Sequence, residues 1–192
     1  MKIEVLIATM FNNNIEKLLT EMNISTDCVV VNQCDCKVEE KNEMNFNGCH
    51  VKIIYSPERG LSRSRNKALQ NVSKNTDIVI FADDDIRFSD DYKDTVVEKY
   101  QKKDYDGIVF NVRRVNGRLN KRLSKYVNQI NLFRVVSPSM TFKYDSIKKI
   151  NFDENFGTGS NKFVLGEENI FMSDCLKKGL KICTDKYIMC QL

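Results

Sequence analysis

Three short runs, IEVLIAT (3–9), DCVVVN (27–32) and DIVIFA (77–82), are aliphatic almost without interruption. A strand with one wet face alternates apolar and polar residues, whereas a strand that is apolar on both sides has both faces covered. Segments of helical type lie between the runs, NIEKLLTEM after the first and SRSRNKALQNVS before the third. Strands alternating with helices imply the α/β class: a Rossmann-like, mainly parallel sheet flanked by helices. Such sheets bind ligands in the crevice beyond the carboxyl ends of their strands.

Further strands are expected at VKIIY (51–55), GIVFNV (107–112) and VVSPSMTF (135–142), with short ones near KIC and YIM. The stretch 33–48 is polar, lacks clean periodicity and reads as a loop. A helix is expected from Ser62, its N-cap, to about Ser73, and another through NIFMSDCLKKG with Gly179 as its stop. The first of these carries Leu61, Ala68, Leu69 and Val72 on one stripe, and helical spacing puts Arg65 on that stripe too. An arginine facing inward requires an anionic partner. With 192 residues and no repeat, linker or low-complexity tract, the chain reads as a single domain.

The formal charge of +4 is too small to demand nucleic acid, and none is expected as a partner. The charge is uneven, however: Arg113, Arg114, Arg118, Lys121, Arg122 and Lys125 follow one another with no acidic residue among them. Such a run is either a solvated face or an attraction for phosphate, on a substrate or at a membrane surface. No stretch approaches the roughly 20 apolar residues of a membrane span, and the opening MKIEVLIATM lacks a signal-peptide pattern. Seven scattered cysteines point to a reducing compartment. The expected location is therefore cytoplasmic, with peripheral contact at the inner membrane face through the basic stretch. A zinc knuckle of Cys34, Cys36, Cys49 and His50 is the minor alternative, since its spacing departs from the usual patterns.

Two acidic groups carry chemistry. Asp83, Asp84 and Asp85 follow the most strongly buried run, so the topology puts them at a strand's carboxyl end. Carboxylates are hard ligands suited to Mg2+ or Mn2+, ions that share their coordination between one or two protein carboxylates, substrate phosphates and water. An acidic turn is the plain alternative. The second group is GEEN (166–169), where Glu167 and Glu168 stand at a loop-to-helix boundary. A carboxylate in the crevice could act as a general base, although acidic residues favour a helix's first turn in any case.

Taken together, VLIATMFNN, ERGLSRSRNKAL, DIVIFADDDI and NFDENFGTG…LGEENIFMSDCLKKGLKI resemble the motifs of family 2 glycosyltransferases of the GT-A fold, from the first strand to about Leu180. The resemblance implies an inverting, metal-dependent transfer of a sugar from a nucleotide-diphosphate donor, a UDP-sugar first, to a hydroxyl of a saccharide or lipid-linked acceptor. The setting it implies is cell-surface polysaccharide or glycoconjugate synthesis. It implies further that Thr9 and Arg65 contact the donor nucleotide, that Asp84 meets the ribose with Asp83 nearby, and that Asp85 binds Mn2+ or Mg2+. Glu168, with Glu167 beside it, takes the position of the catalytic base. Relatives usually carry an Asp-Asp pair after the second strand, and this chain has Asn32 and Gln33, expected to hold the base as neutral amides. The base position is Glu where Asp is usual. Residues 1–112 would form the nucleotide-sugar half and 113–192 the acceptor side, shorter at its C-terminus than in relatives.

The competing folds lack their signatures. No glycine-rich loop follows the first strand, as a nucleotidyltransferase or a dinucleotide-binding oxidoreductase would require, and the triplet lies too late for a haloacid-type phosphatase. The alternative that stays open is a truncated or degenerate module that binds a nucleotide sugar without turnover.

Overall fold

The computed structural model describes residues 1–102, 104–119 and 124–192. In chain order the elements are β1 (Ile3–Met10), α1 (Ile15–Glu21), β2 (Asp27–Gln33), β3 (Glu40–Phe46), β4 (Cys49–Ser56), α2 (Leu61–Gln70), β5 (Ile78–Asp83) and β6 (Arg87–Phe88). There follow α3 (Tyr92–Lys102), β7 (Gly107–Arg113), β8 (Met140–Lys143), α4 (Tyr144–Ile147), α5 (Glu167–Lys177) and β9 (Ile182–Gln191). Among the described residues, nine strands form one sheet in the order β3-β4-β2-β1-β5-β8-β7-β9-β6.

The expected parallel arrangement holds in one half of the sheet, where β1 pairs in parallel with β2 and β5, and β4 with β2. In the other half β8 runs antiparallel to both β5 and β7, while β9 is parallel to β7. The sheet is therefore mixed. The carboxyl ends of β1, β2, β4, β5, β7 and β9 all gather along one edge, and that edge carries the site.

The aliphatic runs are explained by cores on both faces. Along β1, Val5 and Ile7 join one core with α1 and α3, whereas Leu6 joins the other with α2 and α5. At the centre of the second core Phe81 meets Phe142, Phe152 and Phe171 edge-on, and Phe152 stacks on Phe171 at 4.1 Å. This aromatic cluster ties α5 and the segment before it to the strand that ends in the aspartates.

Several local expectations are corrected. The stretch 33–48 contains β3, an edge strand antiparallel to β4. Its residues are mostly exposed, and only Met44 and Phe46 near its end alternate as apolar positions. The strand expected over 135–142 is confined to Met140–Lys143, because residues 137–139 form a 3-10 turn around Pro138. Helix α2 is capped by Gly60 rather than by Ser62, whose hydroxyl donates instead to the Phe156 carbonyl at 2.7 Å. Helix α5 starts at Glu167, two residues before the expected Asn169, and one long strand, β9, replaces the two short ones.

The zinc knuckle is not assembled. The parallel register of β2 and β4 pairs Cys28 with Val51 and Gln33 with Ser56, so Cys49 and His50 lie at the opposite end from Cys34 and Cys36. That is about seven strand positions, roughly 23 Å.

Candidate active site

Adjacent strands β1 and β5 bring the first elements together. The register Ala8↔Asp83 sets Thr9 beside Asp84, and Thr9 Oγ1 donates to Asp84 Oδ2 at 2.5 Å. A crevice of about 410 Å³ opens there, lined by Thr9, Met10, Gln33, Leu61, Thr158 and the three aspartates.

Below it lies Arg65, the inward arginine of α2, only 2% exposed. Its Nη2 donates to Asp83 Oδ1 at 3.0 Å and to Ser137 Oγ at 2.6 Å, and its Nη1 donates to Glu167 Oε1 at 3.2 Å. Glu168 Oε1 stands 3.9 Å from the same Nη1. The anionic partners that an inward arginine requires are thus Asp83 and the GEEN glutamates, residues far apart in sequence. With its terminal nitrogens engaged by protein groups and its side chain buried, Arg65 does not line the crevice. Arg65 thus stands as a brace between the carboxylates of Asp83 and Glu167. Ser137 completes the brace by donating to Asp83 Oδ2 at 3.0 Å.

The glutamates reach this point because of helical spacing and glycine. Glu167 and Phe171 are four apart on α5 and share its inward face. Phe171 anchors that face in the aromatic cluster, so Glu167 is carried into the protein and Glu168 sits half-buried beside it. The preceding loop passes over the start of α2, with Leu61 N–H donating to the Thr158 carbonyl at 2.9 Å. Two glycines permit this. A Cβ at Gly159 would lie 3.2 Å from Gly60 Cα, and one at Gly157 would lie 3.2 Å from both Glu167 Cδ and Ser62 Oγ.

Burial pushes the Glu168 carboxyl above its ordinary range; Arg65 pulls it down, and Glu167 and Asp83 push it up. Burial likewise raises Asp85, aided by the charges of Asp83 and Asp84. Asp83 and Asp84 are held by Arg65, Ser137 and Thr9, whereas no other side chain is bonded to Asp85 among the described residues. No group of three or more His, Cys, Asp or Glu among the described residues is arranged to hold a metal by itself. Asp85 is therefore the carboxylate of the triplet that could hold a hard divalent cation, which would need its other ligands from outside the protein.

Asn32 and Gln33 are both engaged structurally. The Asn32 amide accepts from Asn12 N–H at 3.1 Å and donates to the Asn12 carbonyl at 2.6 Å, which clamps the loop after β1. Gln33 donates to Ser64 Oγ at 2.6 Å and accepts from Gly60 N–H at 3.0 Å, yet still lines the crevice. Asn32 is not among the lining residues. Of the basic stretch, Lys121 and Arg122 lie outside the described residues; Arg113, Arg114, Arg118 and Lys125 are exposed.

Sequence reasoning missed four residues near the site. Thr158 lines the crevice, and Ser137 braces Asp83. Phe11 is 57% exposed with φ of 52°, a region an aromatic residue rarely enters, and Arg59 lies over its ring at 4.9 Å. The sign of Phe11 was its position, an aromatic directly after a buried strand and before three asparagines. The other residues carried no local signal.

A single α/β sheet whose carboxyl edge holds an acidic triplet, with a glutamate pair brought to it by a helix from the other end of the chain, has the GT-A architecture. The chain belongs to glycosyl transferase family 2, whose pattern it matches over residues 13–171. No curated protein sequence matches it. Among solved structures, S. aureus TarS 1-349 in complex with UDP superposes with a TM-score of 0.69 at 19% identity, covering 100% of this chain and 60% of that one. The same protein in complex with UDP-GlcNAc gives 0.69 at 17% identity, covering 100% of this chain and 58% of that one. The structure of S. aureus TarS gives 0.69 at 18%, with 100% of this chain and 36% of that one covered. At these identities the likeness shows the fold. This chain spans about 60% of the length of the first of them.

Proposed function

We propose that this chain is the catalytic domain of an inverting glycosyltransferase that moves a sugar from a nucleoside-diphosphate donor, a UDP-sugar first, to an acceptor hydroxyl in glycoconjugate or polysaccharide synthesis. The observation that carries the reading is the Arg65 brace. One guanidinium gathers Asp83 from the end of β5 and the two glutamates from the start of α5. A shared charge centre of this kind has little value in a protein that needs only to be stable, since apolar residues of like volume would serve as well.

In this reading the donor's diphosphate lies against Asp85, and its ribose meets the Asp84 and Thr9 pair. Its base lies toward Gln33 and Met10 with the Phe11 ring at the mouth, while Asn32 supports the base pocket through the Asn12 loop. A divalent cation bound at Asp85 would offset the negative charge that grows on the leaving diphosphate. Glu168 removes the proton from the acceptor hydroxyl as that oxygen attacks the anomeric carbon, and the nucleoside diphosphate departs from the opposite face. The raised Glu168 carboxyl suits this task, because a base works best with a pKa brought toward the working pH. Glu167 and Arg65 hold it in place. The nucleotide-sugar half is residues 1–112 and the acceptor side 113–192.

The test is Glu168→Gln. Transfer or slow hydrolysis of a UDP-sugar with Mn2+ should fall by about 10²-fold or more, with donor affinity by calorimetry within a few-fold of the parent. Unchanged turnover would remove Glu168 from the mechanism. Donor binding without any turnover in the parent chain, across acceptors, would favour a binding module.

A further inference from the structure

Beyond the crevice, three neighbouring strands present a row of side chains. Arg87 on β6 pairs with Gln191 on β9, and Gln191 pairs with Arg113 on β7. One residue along, Phe88, Cys190 and Val112 form the matching row. That second row is buried in a core, so strand alternation turns Arg87, Gln191 and Arg113 together to the exposed face. Backbones two strands apart are separated by roughly 10 Å, a span that two arginine side chains can close from either side.

Both arginines line one cleft of about 340 Å³ with Ser89, Asp90 and Gln191. A second cleft of about 270 Å³ is lined by Arg87 and Gln191 together with Asp84 and Asp85, so it joins this row to the donor crevice. Arg87 follows Asp85 by only two residues, at most about 7 Å along the chain. Of the carboxylates nearby, Asp90 accepts from Asn23 at 2.9 Å and Glu21 is 3.7 Å from Lys17, while Asp84 and Asp85 line the second cleft with Arg87. Neither arginine has a carboxylate partner among the described residues. Arg87 is nonetheless fixed in place, its Nη1 donating to the carbonyls of Glu21 at 3.0 Å and Thr20 at 3.4 Å at the end of α1.

We propose that the Arg87–Gln191–Arg113 row is an acceptor subsite that binds an oxyanion, phosphate or carboxylate, on the acceptor molecule. Two guanidinium groups with an amide between them offer planar donors suited to such oxygens. The site deepens the transferase reading and rests on it for the word acceptor, while its affinity for the anion does not. An acceptor held there by its anion lies beside Asp84 and Asp85, on the far side of the triplet from Thr9 and Gln33.

The test titrates the isotope-labelled chain with glycerol phosphate, glucuronate and glycerol while the arginine side-chain Nε–Hε signals are recorded. Two of these signals should shift saturably with at least one of the anions and not with glycerol, and the tighter anion names the group. Arg113→Gln should weaken that binding at least tenfold and Arg113→Lys should restore part of it, with the affinity for UDP and Mn2+ changed less than twofold. Absence of a saturable shift with either anion would overturn the proposal. So would a tenfold loss of UDP affinity in Arg113→Gln, which would assign the row to the donor's diphosphate. Saturable anion binding by a parent chain that binds no UDP would sink the donor reading and leave the anion site standing.

Discussion

Glu168 and Glu167 are neighbours in sequence with opposite environments. The first is half-buried, while the second is buried against Arg65. Their charges oppose each other, and removing one alters the other. Glu167→Gln takes away a like charge, so the Glu168 carboxyl should titrate at lower pH. The acid limb of kcat/KM against pH should then move down relative to the parent; a limb that moves up would contradict the assignment of Glu168 as the base. The raised carboxyl also sets a stability slope. The folded chain keeps this proton above the ordinary value of 4.5 at which the unfolded chain releases it. Stability is therefore lost as pH rises from there through the folded value. At this scale the sequence was informative about identity and silent about partnership. Arg65 was marked by its place on an apolar stripe, but its bond to Ser137, 72 residues away, has no local signature.

Among the elements, the segment from Phe156 to Gly166 does the positioning. It must cross α2 closely enough for Gly60 and Gly159 to touch, then deliver Glu167 beneath the crevice. Gly157 has φ of +99° and no room for a Cβ between Glu167 and Ser62. Gly157→Ala should therefore destabilise the fold by about 1–3 kcal/mol, measured by denaturant unfolding, and lower turnover more than donor affinity. A variant as stable and as active as the parent would show that the loop does not need this close approach. The buried strands were legible because both their faces carry aliphatic residues. β3 was not, because only Met44 and Phe46 of its residues are apolar, and its pairing comes from the hairpin with β4. Helix starts were misplaced for a related reason: Gly60 and Gly166 cap through backbone conformation, and no capping side chain announces them.

For the whole molecule, the topology explains why the site needs both ends of the chain. The aliphatic strands β1, β2, β4 and β5 lie in one half of the sheet, the last ending in the aspartates, and the glutamates return on α5 after β8 has reversed direction. The parallel half was readable from the alternation of strands and helices, but the antiparallel insertion of β8, with only four residues, was not. The central claim is that this edge of the sheet is a metal-dependent seat for a nucleoside diphosphate. It is tested most directly by calorimetric titration with UDP and other nucleoside diphosphates, with and without Mn2+, on the parent chain and on Asp85→Ala. The account predicts binding of one nucleotide that needs the cation and falls at least tenfold in the variant. Cation-independent binding that Asp85→Ala leaves unchanged, or no binding of any nucleotide, would contradict it.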